Sequence, residues 1–279
     1  MKFHNFIISF FIILAITACS EKKSKVSLIK EDNLEQQMIE AYNEGLKEFN
    51  RGDIFFAAKK FNEVELLYPQ SIWAPRSTLM AAYAYYSQYY FSDAIFELER
   101  FLEKYKNHPD TDYAYYLLAI SHYNQIVDEK KDLGEIIKSK KYFMLLIKEF
   151  PNTDFANDAR YKLELIQEIL ASKELYLANY YLDREKWIPA INRYKTIVDD
   201  YDTTIFIEEA LFRLIEINYK LGLTKEAKKY ASLLGYNYQS SEWYELSYKI
   251  LNKKYKKAEI NQDINKQKSL LQKFKKLFD

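Results

Sequence analysis

Cysteine occurs once in the 279 residues, at Cys19, and histidine three times, at His4, His108 and His122. A thiol can be acylated, oxidised or bound to a metal, and an imidazole can move protons or hold a metal. No second histidine or cysteine stands at metal-ligand spacing from any of the four, so no metal site is expected. One cysteine also forbids a disulfide within the chain. Glycine-rich phosphate loops, His-Glu-x-x-His and Gly-x-Ser-x-Gly are all absent. The acidic pairs Asp199-Asp200 and Glu208-Glu209 read as solvated charges on helices. These residue types point away from catalysis and from any dissociable cofactor. The one reaction they invite is covalent modification of the Cys19 thiol.

The residues before Cys19 support that reading. Lys2 gives a positive start, Phe6 to Leu14 an apolar core, and Ile16-Thr17-Ala18-Cys19 a small-residue ending, the three parts of a secretory signal. About 13 apolar residues make a helix of only ~20 Å, short of the ~30 Å hydrocarbon core of a bilayer. The ending resembles a bacterial lipobox. That resemblance implies cleavage between Ala18 and Cys19, with S-diacylglycerol and an N-acyl chain on the cysteine. Several acyl chains anchor stably where one does not. Ser20 in place of aspartate resembles the sorting preference for the outer membrane, on its periplasmic face. Residues 1–18 are then a signal peptide, and 19–33 a flexible polar tether behind the lipid.

The remainder must supply the elements. Hydrophobic residues make up 48% and charged residues 29%, a globular balance, and the net charge of +1 offers nothing to nucleic acid. Five glycines and five prolines are too few for a chain of tight β turns. A period emerges when Ala57, Ala94, Ala190 and Ala227 are aligned. Four residues on stand Phe61, Leu98, Tyr194 and Ala231, and seven residues on Val64, Phe101, Ile197 and Leu234, all on one helical face. Aromatics then close the segments: Tyr68-Pro69, Tyr105 before His108-Pro109, Phe150-Pro151 and Tyr201-Asp202. Twelve residues before the alanines lie the small residues Gly45, Ala82 and Ala178, with Gly52 and Gly222 at turns.

This spacing resembles the tetratricopeptide repeat, a pair of helices. It predicts an all-α solenoid of about five helix pairs, near 38–69, 75–109, 112–151, 170–202 and 208–240, with a C-terminal helical extension. In the third, Ala119 and Phe143 fit, but Asp128 to Glu135 lengthens the connection; Phe155 to Arg184 reads as one long helix. The solenoid covers 34–241, with an N-terminal half 34–151 and a C-terminal half 152–241. Such pairs bury their faces only against neighbours and leave an inner surface of first helices. Tyr42, Phe49, Tyr83, Tyr86, Tyr116 and Tyr123 are the candidates for a peptide groove there, among 26 tyrosines. Tyrosine suits it, joining a rigid apolar ring to a hydroxyl. The competing reading of each ring is packing between repeats.

Five blocks carry a closer resemblance: 58–75 (AKKFNEVELLYPQSIWAP), 81–95 (AAYAYYSQYYFSDAI), 101–123 (FLEKYKNHPDTDYAYYLLAISHY), 148–187 and 190–204. With His108-Pro109-Asp110 at the joint of the third block, the chain resembles the BamD family of outer-membrane assembly lipoproteins over nearly its whole length. Asp202 departs from it, standing where the family commonly has proline. The resemblance implies a lipid-anchored scaffold in β-barrel assembly. Its partners would be a BamA-like insertase held by the C-terminal repeats, other lipoproteins of the complex, and unfolded barrel proteins received by the N-terminal repeats. A different tethered repeat protein, an adaptor for cell-wall hydrolases or division proteins, would share lipobox and repeats but not these blocks.

The basic end, 242–279, splits in two. Residues 242–257 read as a cap on the last repeat. In 260–279 the apolar stripe Ile260, Ile264, Leu271, Phe274 and Phe278 runs among lysines and is open between partner contact and disorder.

Overall fold

A computed structural model describes residues 33–126 and 132–252. Cys19, Ala18, residues 19–32 of the 19–33 tether, part of the 128–135 insertion and the basic segment from 253 onward lie outside the described residues. Among the described residues every regular element is a helix. They are α1 Leu34–Arg51, α2 Ile54–Leu67, α3 Trp73–Ser87, α4 Phe91–Lys104, α5 Thr111–Tyr123, α6 Gly134–Glu149, α7 Asp154–Leu182, α8 Trp187–Asp200, α9 Ile207–Lys220, α10 Thr224–Asn237 and α11 Glu242–Leu251. The all-α class and the repeat of helix pairs expected from the sequence are what the structure shows. The chain divides into two compact units, 1–81 and 82–279, with the boundary inside α3.

In the first unit α1 packs on α2. Ala57, Phe61 and Val64 are fully buried, and Met38 and Ala41 of α1 pack with Val64. Gly45 allows the approach: a Cβ there would come within 2.8 Å of the Phe61 ring. In the second unit α5 packs on α6, α8 on α9, and α9 on α10. Of the aligned positions of the repeat in this unit, Ala94, Leu98, Phe101, Ala190, Tyr194, Ile197, Ala227 and Leu234 are fully buried, and Ala231 is partly buried. Burial of each large side chain stabilises by about 1.5–3 kcal/mol, so the period is the core itself. The long helix is continuous and packs on both α6 and α8.

The structure resolves the irregular third pair. Its counterpart of the repeat alanine is Ser139, fully buried, with Phe143 four and Leu146 seven residues on. The Ser139 hydroxyl donates to the Ala119 carbonyl at 3.0 Å. Small residue and repeat position are 12 apart at 45/57, 82/94 and 178/190 but 20 apart at 119/139, an excess of eight residues matching the length of 128–135. Serine satisfies its own hydroxyl and is otherwise as small as alanine, which is why an alanine search passes over it.

Each second helix ends by one device. The residue eleven after the repeat position is always aromatic: Tyr68, Tyr105, Phe150, Tyr201 and Tyr238. In each, the backbone N–H makes the last helical bond, to the carbonyl four residues back on Val64, Phe101, Leu146, Ile197 and Leu234, and the residue itself leaves the helix with ψ between 37° and 75°. The helix therefore stops at Asp200 even where Asp202 replaces proline. Three residues further on, the N–H groups of Ser71, His108, Thr153, Thr204 and Ser241 return to the carbonyls of those aromatics at 3.0–3.4 Å. The turns inside the pairs are equally regular. Five residues before the repeat position the backbone is left-handed at Gly52 (φ 88°), Tyr89 (φ 65°), Glu185 (φ 55°) and Gly222 (φ 76°). Only glycine adopts that conformation without steric cost.

Candidate binding surface

The two histidines fall into structural places. His108 occupies the turn position held elsewhere by Ser71, Thr153 and Ser241, whose hydroxyls accept from the N–H groups of Ala74, Ala156 and Trp243. His108 does the same with its ring: Nδ1 accepts from the Asp110 N–H at 3.2 Å. Its edge stands on Phe101 at 5.8 Å between centroids. The His-Pro-Asp joint is thus a capping turn with imidazole in place of a hydroxyl. His122 is buried, stacked on Tyr142 at 5.6 Å, with Nδ1 2.6 Å from Glu135 Oε2. Gln125 and Lys138 also donate to Glu135, so this carboxylate ties both ends of the inserted connection together. Burial opposes ionisation of Glu135, but the His122 and Lys138 bonds outweigh it and hold the carboxyl below its usual range. No group of three His, Cys, Asp or Glu able to hold a metal occurs among the described residues.

The six groove candidates are set by the repeat. Tyr42 and Tyr116 lie three residues before the small residues Gly45 and Ala119; Phe49, Tyr86 and Tyr123 lie four residues after Gly45, Ala82 and Ala119. These offsets put them on one face of successive first helices. In the first unit, Tyr42 packs edge-on against Phe61 (5.5 Å) and Trp73 (5.2 Å), and Phe49 is half-buried.

In the second unit the end of α3, α5 and the start of α7 bring the others together with residues the sequence reading missed. The Tyr116 hydroxyl donates to Asp158 Oδ2 at 2.8 Å, and its ring lies 5.1 Å from Phe155. Tyr113, one turn before Tyr116, faces the same Phe155 at 5.4 Å. Tyr86 accepts from Asn124 Nδ2 at 3.2 Å. The Lys162 ammonium sits 5.2 Å over the Tyr123 ring. Tyr83 is 38% exposed, the most open of the six. Phe155, Asp158 and Lys162 follow the i, i+3, i+7 spacing of one helix face, the signal that would have found them.

This is a surface of neutral phenols. Burial, and after it the neighbouring Tyr83 and Tyr86, push the Tyr113 phenol up to about 12. Burial and then the Asp158 hydrogen bond raise Tyr116; burial and then Tyr161 raise Tyr123. All three keep their protons at neutral pH and offer rings and O–H donors, a chemistry of contact. Of the six candidates Tyr83, by its exposure, is the ring with most area left for another molecule.

A second hollow in this unit lies between α8 and α10. Lys195, Asp199, Glu226 and Lys229 rim it, and Leu233 and Tyr236 are exposed at its edge.

Residues 34–234 match the model of a family described as YfiO, outer membrane lipoprotein. Among curated proteins, the outer membrane protein assembly factor BamD of Caulobacter vibrioides is 34% identical over 238 residues, 85% of this chain and 77% of the relative. The protein of that name from Rickettsia prowazekii is also 34% identical over 238 residues, covering 85% of this chain and 92% of its own. A solved TPR2AB-domain:pHSP90 complex of yeast Sti1 aligns over 77% of this chain and 82% of its own, at a TM-score of 0.41 and 14% identity.

Proposed function

The chain belongs to the YfiO family of outer membrane lipoproteins, and from that premise we propose how it serves outer-membrane protein assembly, the work named in its BamD relatives. It acts by binding, as a scaffold of helix pairs. The face carrying Tyr83, Tyr86 and Tyr113 receives an extended segment of an unfolded barrel protein. Barrel strands carry aromatic girdles, and an aromatic side chain laid on neutral phenols gains ring contacts without burying an unpaired charge. The observation that carries this reading is the cluster of tyrosines on the first helices, with Tyr83 at 38% exposure as its open member.

The C-terminal pairs α7–α8 and α9–α10 hold a BamA-like insertase, and the hollow between α8 and α10 has the mixed charges and exposed aromatic of such a contact. Cys19 carries the acyl chains that keep the protein at the membrane; Cys19→Ala should move it from the membrane fraction to the soluble one. No described helix is long and apolar enough to cross a membrane.

Tyr83→Ala tests the receiving face. Loss of a central aromatic anchor should weaken binding of a barrel protein's terminal peptide by about tenfold or more, with an unchanged melting temperature. Tyr83→Phe should keep most of the affinity. Unchanged affinity in a folded Tyr83→Ala protein refutes the assignment.

A further inference from the structure

Helix α6 has two apolar stripes, and only one is used by the fold. Ile136, Ser139, Phe143 and Leu146 are buried and form its core side. Facing outward are Ile137, 59% exposed, and Met144, 54% exposed, two turns apart on the same line. Leu145 joins them, and Lys140, Lys141 and Lys148 are interleaved with all three. An ordinary solvated face would carry polar residues at 137 and 144.

We propose that this outward face of α6 rests on an anionic phospholipid surface. Three observations select that occupant. First, the charge is one-sided. Of the lysines in the patch only Lys148 has a carboxylate beside it among the described residues, its neighbour Glu149 at 3.2 Å; Lys141 instead lies over the Tyr142 ring at 5.4 Å. Glu135, on the same helix, is engaged with His122 and Lys138, and Glu99 with the Tyr142 hydroxyl. Second, every residue found to line the shallow apolar hollow belongs to α6 itself. With no opposing wall among the described residues, the site grips a flat partner better than a peptide, which needs a groove. Third, apolar side chains lying between lysines on one helix face is the pattern of interfacial helices. The lysine stems cover apolar surface while their heads reach phosphate. The family's place at the outer membrane puts such a surface within reach.

The mature chain, with Cys19→Ser to remove the acyl chains, is labelled through Met144→Cys with an apolar, environment-sensitive fluorophore. Vesicles containing phosphatidylglycerol should shift its emission to the blue; pure phosphatidylcholine vesicles should not. Lys140, Lys141 and Lys148 changed together to Gln should lower the apparent partitioning about a hundredfold, since each lysine near an anionic surface contributes about fivefold. The label reports position 144 alone, so vesicle binding through the basic segment 253–279 leaves it unmoved. No shift with anionic vesicles, or an undiminished shift in the folded triple variant, overturns the proposal. A shift produced by the detergent-solubilised assembly complex without vesicles also overturns it, and assigns the face to a protein.

Discussion

Tyr113 makes an alkaline prediction that can be worked through. Its phenol moves from the ordinary 10.0 to about 12 in the folded chain, chiefly because burial disfavours phenolate and then because Tyr83 and Tyr86 stand close by. A folded pKa above the unfolded one means that the folded state holds the proton more tightly. The stabilisation is therefore complete below about pH 10 and is lost as pH climbs toward 12. With those two values, unfolding should become easier by about 1.4 kcal/mol between about pH 9 and about pH 11 from this residue alone. Several other tyrosines are raised too, Tyr116 and Tyr194 among them, and lysines deprotonate in the same range. The measurement must therefore be a difference. Urea denaturation of the protein and of Tyr113→Phe, run at both pH values, isolates it. The variant should lose about 1.4 kcal/mol less than the parent on going to the higher pH, and tyrosinate absorbance should show one fewer late-titrating phenol. If parent and variant lose stability in parallel, the ring is open to solvent and the reading of a buried, neutral cluster fails.

Two further outcomes follow from the repeat. Tyr89 and Glu185 hold the left-handed position that Gly52 and Gly222 occupy in the equivalent turns; Glu185→Gly should raise stability by about 1 kcal/mol, seen as a higher denaturation midpoint. Gly45→Ala places a carbon 2.8 Å from the fully buried Phe61 ring. Overpacking costs about 1–3 kcal/mol against about 1 kcal/mol of helix propensity gained, so it should destabilise, and Phe61→Leu should rescue it in a double-mutant cycle.

How much of this was legible in the sequence depended on whether a residue's role showed in its type. The repeat alanines and the residues four and seven later could be read because burial of an apolar face enforces the period. Ser139 could not, since its hydroxyl is satisfied by the Ala119 carbonyl, a bond no pattern displays. The left-handed turns were visible at Gly52 and Gly222 but hidden at Tyr89 and Glu185, where side-chain type gives no hint of φ. The candidate surface was half legible. Spacing on the first helices nominated Tyr116 and Tyr86. Their partners Asp158 and Asn124, 42 and 38 residues away, depend on which helices become neighbours.

The abundance of tyrosine, which first suggests a binding groove, divides by repeat position into distinct roles. Tyr68, Tyr105, Tyr201 and Tyr238 stand where the backbone leaves the second helices, a place that Phe150 holds equally well. Tyr194 fills the core, its hydroxyl donating to Asn179. Tyr42 and Tyr116 brace neighbouring helices. What remains for the proposed client is the few rings whose offset in the repeat leaves them exposed, and Tyr83, one residue past the small residue Ala82 and 38% exposed, is the leading case. A mutation here therefore reports on function or on folding according to its distance from the repeat position, so an alanine scan of this protein should be sorted by that offset before any loss of binding is assigned to contact with a client.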